Sequence, residues 1–231
     1  ALYELNLNSE WKYQPIGAPC SYGIHESQSR LYEDVIGRSK EFWTSFLPKL
    51  QKAAPNLSSL NLDQFIHAIN VVEPSKIRIE ADEVTYNLHI IIRYELERDL
   101  FADKISLEEL PQVWNQKYEK YLGVKVQDDS EGVMQDTHWS SGLYGYFPSY
   151  ALGNIYSGQI IKAITNDLPN WRSQLSQGNL KDFNAWLNEK IHQQGDLYDP
   201  EDLIMNVTGR NLDPEPYLQY LTSKYSELYG F

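Results

Sequence analysis

A chain of 231 residues with 42% hydrophobic content buries a real core, which excludes a disordered tail. Its formal charge of -12 repels phosphate backbones and no Lys/Arg cluster offsets that field, which argues against nucleic acid and leaves peptides and other small molecules open. Cys20 stands alone and permits no internal disulfide, no run of about 18 apolar residues exists to cross a bilayer, and no basic and then apolar leader opens the chain. These features read as a soluble, cytoplasmic protein with no membrane partner.

Helix signals recur from end to end. The stretch "SYGIHESQSRLYED", Ser21 to Asp34, places His25 and Glu26 near a helix start and runs on through Phe46 to Leu50. Leu31, Val35, Trp43 and Phe46 form its apolar face, and Pro55 interrupts it. A shorter helix follows over "LDQFIHAINVV", closed by Pro74. Strand evidence is confined to "KIRIE" and, more weakly, "GVKVQ", so any sheet is small.

Ile77 to Leu100, "IRIEADEVTYNLHIIIRYELERDL", also fits a helical wheel. There Arg78, Asp82, Tyr86, His89 and Arg93 share one face, while Val84, Leu88, Ile91, Ile92 and Leu96 take much of the other. Such a stripe is either a solvated face or a buried polar seam. Its mixture of Arg, Asp, Tyr and His, opposite an unusually apolar side, supports the seam. Ser106 and Glu109 read as a capping box and Gly123 as the terminator of the helix between them. "ALGNIYSGQIIKAIT" is another long helix, short helices follow between Pro and Gly residues, and Pro216 to Tyr229 closes the chain ahead of Gly230. No repeat and no long linker is present, so the expectation is a single all-α domain over 1–231, mostly helical with at most a small β-sheet.

In Glu131 to Asn154, Gln135, Asp136 and His138 lie among Trp139, Tyr144, Tyr146, Phe147 and Tyr150 with glycines between them. The segment is either aromatic core with a satisfied histidine or the wall of a substrate site. The adjacent His25-Glu26 pair does not make a metal centre by itself, because zinc takes three protein donors and one open position. No phosphate-binding loop, dinucleotide fingerprint or nucleophile elbow occurs.

Together these stretches resemble the carboxypeptidase Taq family of zinc-dependent metallocarboxypeptidases. "HESQSR" (His25 to Arg30), "IRIEAD" (Ile77 to Asp82) and "GVMQDTHW" (Gly132 to Trp139) match three of that family's motifs in order, and "LDPEPYLQYL" matches its C-terminal region. The resemblance implies a mostly helical fold with a long groove, often a homodimer, and release of single residues from peptide C-termini. In that family H-E-x-G-H precedes A-L-Y-E, and this sequence opens with Ala1-Leu2-Tyr3-Glu4. The resemblance therefore places two zinc-binding His residues and a general-base Glu upstream of Ala1.

It also assigns Glu26 as the third ligand of zinc, or of another divalent metal such as cobalt, held weakly or not at all by this chain alone. Arg78 is assigned to the substrate carboxylate, Asp82 either orients that arginine or a neighbour or makes an ordinary structural ion pair, and Gln135 and Asp136 are substrate or supporting groups. His138 is assigned to donate to the peptide or to steady a ligand, and Tyr146, with Tyr144 as the near alternative, to donate to the oxyanion. Two readings follow. In one the chain is the C-terminal part of an enzyme, its His pair supplied upstream or by a separate N-terminal chain. In the other it is an inactive remnant serving as a folded dimeric or peptide-binding module.

Overall fold

The computed structural model describes residues 1–231 as helices joined by turns, with no β-strand. The all-helical expectation is met, and neither segment that offered a small sheet forms a strand. Ile77 to Glu80 form a 3-10 turn in which Glu80 N–H reaches the Ile77 carbonyl and Ala81 N–H the Arg78 carbonyl. Instead of presenting two isoleucines to a core, this turn buries Arg78 at 6% exposure and leaves Ile79 at 74%. The "GVKVQ" segment forms no strand, and its Val124 and Val126 rest on a neighbouring apolar cluster.

The chain divides into two compact units, one comprising Ala1–Ile69 and Leu152–Phe231 and the other Asn70–Ala151. The first contains α1 (Leu2–Leu5), α2 (Tyr22–Arg30), α3 (Lys40–Ala53), α4 (Leu62–Ile69) and the greater part of α7 (Pro148–Asp167). It continues with α8 (Trp171–Ser176), α9 (Lys181–Lys190), α10 (Pro200–Thr208) and α11 (Glu215–Tyr229). The second unit contains α5 (Tyr86–Phe101) and α6 (Leu110–Leu122).

In the first unit the predicted long helix from Ser21 to Leu50 is interrupted. After α2 the backbone widens into a π-helix over Leu31–Ile36, ended where Gly37 N–H reaches the Tyr32 carbonyl. Ser39 then caps α3, its hydroxyl accepting from Phe42 N–H at 3.2 Å. The local cap restarts the helix in a new direction, so Leu31 and Val35 enter the core while Trp43 and Phe46 stay half-buried. That core is built on Ile24, Leu31, Ile160, Ile164, Trp171, Phe183, Leu187 and Ile204, drawn from α2, the π-helix and α7 to α10.

α7 and α11 meet backbone to backbone. A methyl group on Gly158 would lie 2.5 Å from the Tyr217 Cα and 2.6 Å from its backbone nitrogen. Only glycine lets the helices approach so closely.

In the second unit α5 and α6 share a cluster of Ile92, Leu96, Leu110, Trp114, Tyr118 and Leu122. The α6 members recur every fourth residue, which lines one helix face. The reciprocal bonds of the predicted box form, Ser106 N–H donating to Glu109 Oε2 at 2.9 Å and Glu109 N–H to Ser106 Oγ at 3.3 Å, but they close a turn just ahead of α6, which begins at Leu110. Gly123, at φ 71°, ends α6 by donating its N–H to the Glu119 carbonyl. Gly158→Ala is expected to destabilise the first unit by about 1–3 kcal/mol through overpacking, read as a lower urea midpoint at unchanged slope.

Candidate functional site

The wheel drawn through Ile77 to Leu100 is wrong in its first turns and right in its outcome. Asp82 stops the helix from starting early: Oδ1 accepts from Val84 N–H at 2.9 Å and Thr85 N–H at 2.8 Å, while Oδ2 accepts from Thr85 Oγ1 at 2.7 Å and Glu73 N–H at 3.2 Å. With its carboxylate spent on that turn, Asp82 does not orient Arg78. α5 begins only at Tyr86, whose N–H reaches the Asp82 carbonyl. From there Tyr86, His89 and Arg93 do form a buried polar face. The apolar side is split: Ile92 and Leu96 are in the core, whereas Val84 and Ile91 are exposed.

The carboxylate that organises this face is Asp136. Its Oδ1 accepts from Arg78 Nε at 3.0 Å and Nη2 at 2.7 Å, and its Oδ2 accepts from Arg93 Nε at 2.6 Å. Arg93 Nη2 also lies 2.6 Å from Oδ2. Burial pushes the Asp136 carboxyl up, but the Arg78 and Arg93 guanidinium groups together outweigh that and hold it below its ordinary value.

Arg93 is fully buried and its donors are exhausted. Besides Asp136, Nη1 donates to the His89 carbonyl at 2.9 Å and Tyr118 Oη at 3.0 Å, and Nη2 to Gln135 Oε1 at 2.9 Å. Arg78 differs. Its Nη1 donates once, to Tyr86 Oη at 3.1 Å, and its Nη2 once, to Asp136. One N–H on each terminal nitrogen is left over, since each carries two. Gln135 braces the turn, its Oε1 accepting from Arg78 N–H at 2.9 Å and its Nε2 donating to the Lys76 and Glu131 carbonyls.

His138 and Tyr146 come together beside this ion cluster. Their rings lie 5.5 Å apart, and His138 packs on Phe147 at 4.4 Å. His138 Nε2 shares a hydrogen bond with the Tyr150 hydroxyl at 3.0 Å. Its Nδ1 is buried without a hydrogen-bond partner, 3.9 Å from Asp136 Oδ1. Burial lowers the His138 pKa, with Asp136 pulling it up and the two arginines pushing it down. Tyr144 turns outward at 51% exposure and meets Phe101. Of the two tyrosines, Tyr146 is therefore the one beside His138.

Glu26 belongs to the other unit. It sits on α2 with a partly buried side chain, its Oε1 3.9 Å from Arg30 Nε, and Arg30 Nε donates to Asn154 Oδ1 at 3.0 Å. α7 makes room for it: a methyl group on Gly153 would lie 2.6 Å from Glu26 Cγ. Burial raises the Glu26 carboxyl above its ordinary value, and Arg30 pulls the other way. His25 faces away, 3.4 Å from Glu4 and stacked on Tyr3. No set of three His, Cys, Asp or Glu side chains in the chain is placed to hold a metal ion. Glu26 fits the part of one ligand, and this chain does not complete a centre around it.

Arg93, Tyr86 and Tyr118 are members of the site that no motif reading assigned. The available signal for Arg93 was its place on the mixed polar stripe inside the apolar run "HIIIRY", where burial calls for a counter-charge.

The sequence profile of the carboxypeptidase Taq (M32) metallopeptidases matches residues 1–225. Carboxypeptidase 1 of Bacillus subtilis (strain 168) is 46% identical over 230 residues, covering 99% of this chain and 46% of that protein. Thermostable carboxypeptidase 1 of Thermus thermophilus is 45% identical over 230 residues, covering 100% of this chain and 45% of that protein. Among solved structures, the M32 carboxypeptidase from Deinococcus radiodurans R1 superposes with a TM-score of 0.96 at 38% identity, over 100% of this chain and 47% of that one. The Pyrococcus furiosus carboxypeptidase gives 0.95 at 40% identity, over 97% and 45%. The chain thus spans just under half the length of the relatives it matches.

Two consequences are measurable. Asp136→Asn, by leaving two buried guanidinium groups under-compensated, is expected to cost about 3–5 kcal/mol of unfolding free energy. His89, fully buried beside Arg93 and Arg78, has its pKa lowered to about 3, chiefly by burial. Its folded value is below the unfolded one near 6.5, so its contribution is complete above about 6.5 and is lost as pH falls toward 3. Denaturation between pH 7.5 and 4.5 is expected to show stability declining by about 1.4 kcal/mol per pH unit below 6.5 for this group.

Proposed function

The chain belongs to the carboxypeptidase Taq (M32) metallopeptidases, and on that premise we propose that it forms the C-terminal, substrate-holding part of a cytoplasmic, homodimeric zinc carboxypeptidase. The enzyme would release single residues from peptide C-termini. What carries the reading is the pair of uncommitted N–H groups on Arg78. Two guanidinium groups share one carboxylate, so the cluster holds a surplus positive charge that a second carboxylate would neutralise. A peptide C-terminus supplies that carboxylate, and the two free Nη hydrogens suit a bidentate grip.

In this proposal Asp136 and Gln135 hold the arginine, not the substrate, and Asp82 acts only through the turn it caps. His138 hydrogen-bonds the bound peptide. Tyr146 donates to the oxygen that becomes negative as the scissile carbonyl is attacked. Glu26 is one ligand of zinc, or of another divalent ion such as cobalt, which when bound supplies an activated water. The remaining ligands and the general base come from an H-E-x-G-H segment outside this sequence, in the same polypeptide or in a separate N-terminal chain.

The lack of any three-donor set favours one alternative, a catalytically inactive peptide-binding module. Joining the H-E-x-G-H segment of a relative to this chain, or co-expressing it, distinguishes the two. Restored release of C-terminal residues supports the enzyme part, and persistent inactivity supports the binding module.

On either reading Arg78→Ala is expected to weaken binding of a peptide with a free C-terminal carboxylate at least about a hundredfold and to leave its C-terminal amide unaffected, by calorimetry. The chain by itself is expected to retain less than stoichiometric zinc through dialysis. Full retention, measured by atomic absorption, would overturn the single-ligand reading of Glu26.

A further inference from the structure

Glu97 is a buried carboxylate on α5, one turn beyond Arg93, and the Asp136 cluster does not use it. Its two oxygens reach into one loop at two places. Oε2 accepts from Trp139 Nε1 at 3.1 Å, and Oε1 accepts from the backbone N–H of Gly145. Trp139 directly follows His138, and Gly145 directly precedes Tyr146. Ser141 to Tyr144, between the two anchors, are exposed. Within that stretch Leu143 N–H bonds back to the His138 carbonyl at 2.8 Å. The Gly145 bond thus ties the distal half of the loop to a helix, close to the point where Tyr146 turns inward.

We propose that Glu97 is a positioning residue that sets the His138–Tyr146 ring pair by clamping both flanks of the loop between them to α5. The inference rests on the reading of Tyr146 as oxyanion donor. It adds how that hydroxyl keeps its place on an exposed loop. A carboxylate suits the task because it accepts on both oxygens. An amide presents one acceptor and one donor, so Glu97→Gln must turn a donor toward either the indole N–H or the Gly145 N–H.

The test has two readouts. In the chain as it stands, NMR should show contacts between the His138 and Tyr146 ring protons, and Glu97→Gln should remove them. As His138 gains water, its titration midpoint should rise toward 6.5. In the metal-loaded protein in which this chain is joined to the H-E-x-G-H segment, Glu97→Gln should lower kcat about ten- to a hundredfold with KM within about twofold. In a Tyr146→Phe background the same change should cost nothing more.

Absent ring contacts in the unaltered chain, or a Tyr146→Phe variant with full kcat, would remove the reading of Tyr146. Retained contacts, an unmoved His138 midpoint, or losses that add in the double variant would remove the role of Glu97 alone. Should Glu97→Gln not fold, Glu97→Asp keeps the charge, draws the oxygens back by one methylene and carries the same readouts.

Discussion

One buried aspartate, Asp136, stands between two buried guanidinium groups, and the second unit's polar interior depends on it. Removing three charges from water is costly, and the cost is offset only because both carboxylate oxygens are doubly bonded, one to Arg78 and the other to Arg93. Arrangements of this kind are weak devices for stability alone, since apolar residues of the same volume would pack at least as well. Their value is directional. Arg93, with every donor spoken for and its plane 4.6 Å over Trp114, is a fixed post. Arg78, pinned on its Asp136 and Tyr86 edges and lying 4.9 Å over Tyr150, keeps one N–H on each outer nitrogen. Of the two arginines on one aspartate, one thus has its donors engaged and the other keeps two N–H groups over.

α5 makes this possible by turning polar residues inward beside apolar ones, while Tyr94 and Arg98 face solvent. Tyr86, His89, Arg93 and Glu97 recur at three- and four-residue spacing and are all buried, beside Ile92 and Leu96. One helix therefore serves the ion cluster, the aromatic packing and the loop that carries Tyr146. His89 is compatible with that company only as a neutral ring, sharing a hydrogen bond with Tyr118 at 3.1 Å while two guanidinium charges lie near.

In the other unit a single carboxylate is treated differently. Glu26 has no dedicated hydrogen-bonding cradle of the kind that Asp136 has. Its surroundings are a glycine that makes room for its stem, the Ser29 side chain, and an arginine that also bonds Asn154 and Glu33. Burial pushes this carboxyl above its ordinary value, and Arg30 and Ser29 pull it back.

Much of this protein was readable in its sequence. The helical class, the Ser106–Glu109 box and the Gly123 and Gly230 stops rest on local chemistry, in which neighbouring residues satisfy one another's backbone groups, and such chemistry is written in order along the chain. The seam of Tyr86, His89 and Arg93 was visible as periodicity. Tertiary structure alone decided what each polar group faces. Asp82 shared a predicted face with Arg78 but closed a turn, and Asp136, far along the chain, took the role of its partner. A continuous helix became two around a π-turn, and one of two near-identical tyrosines turned inward. Pairing across tens of residues depends on which groups must be buried together and neutralised there, and spacing along a chain does not encode that.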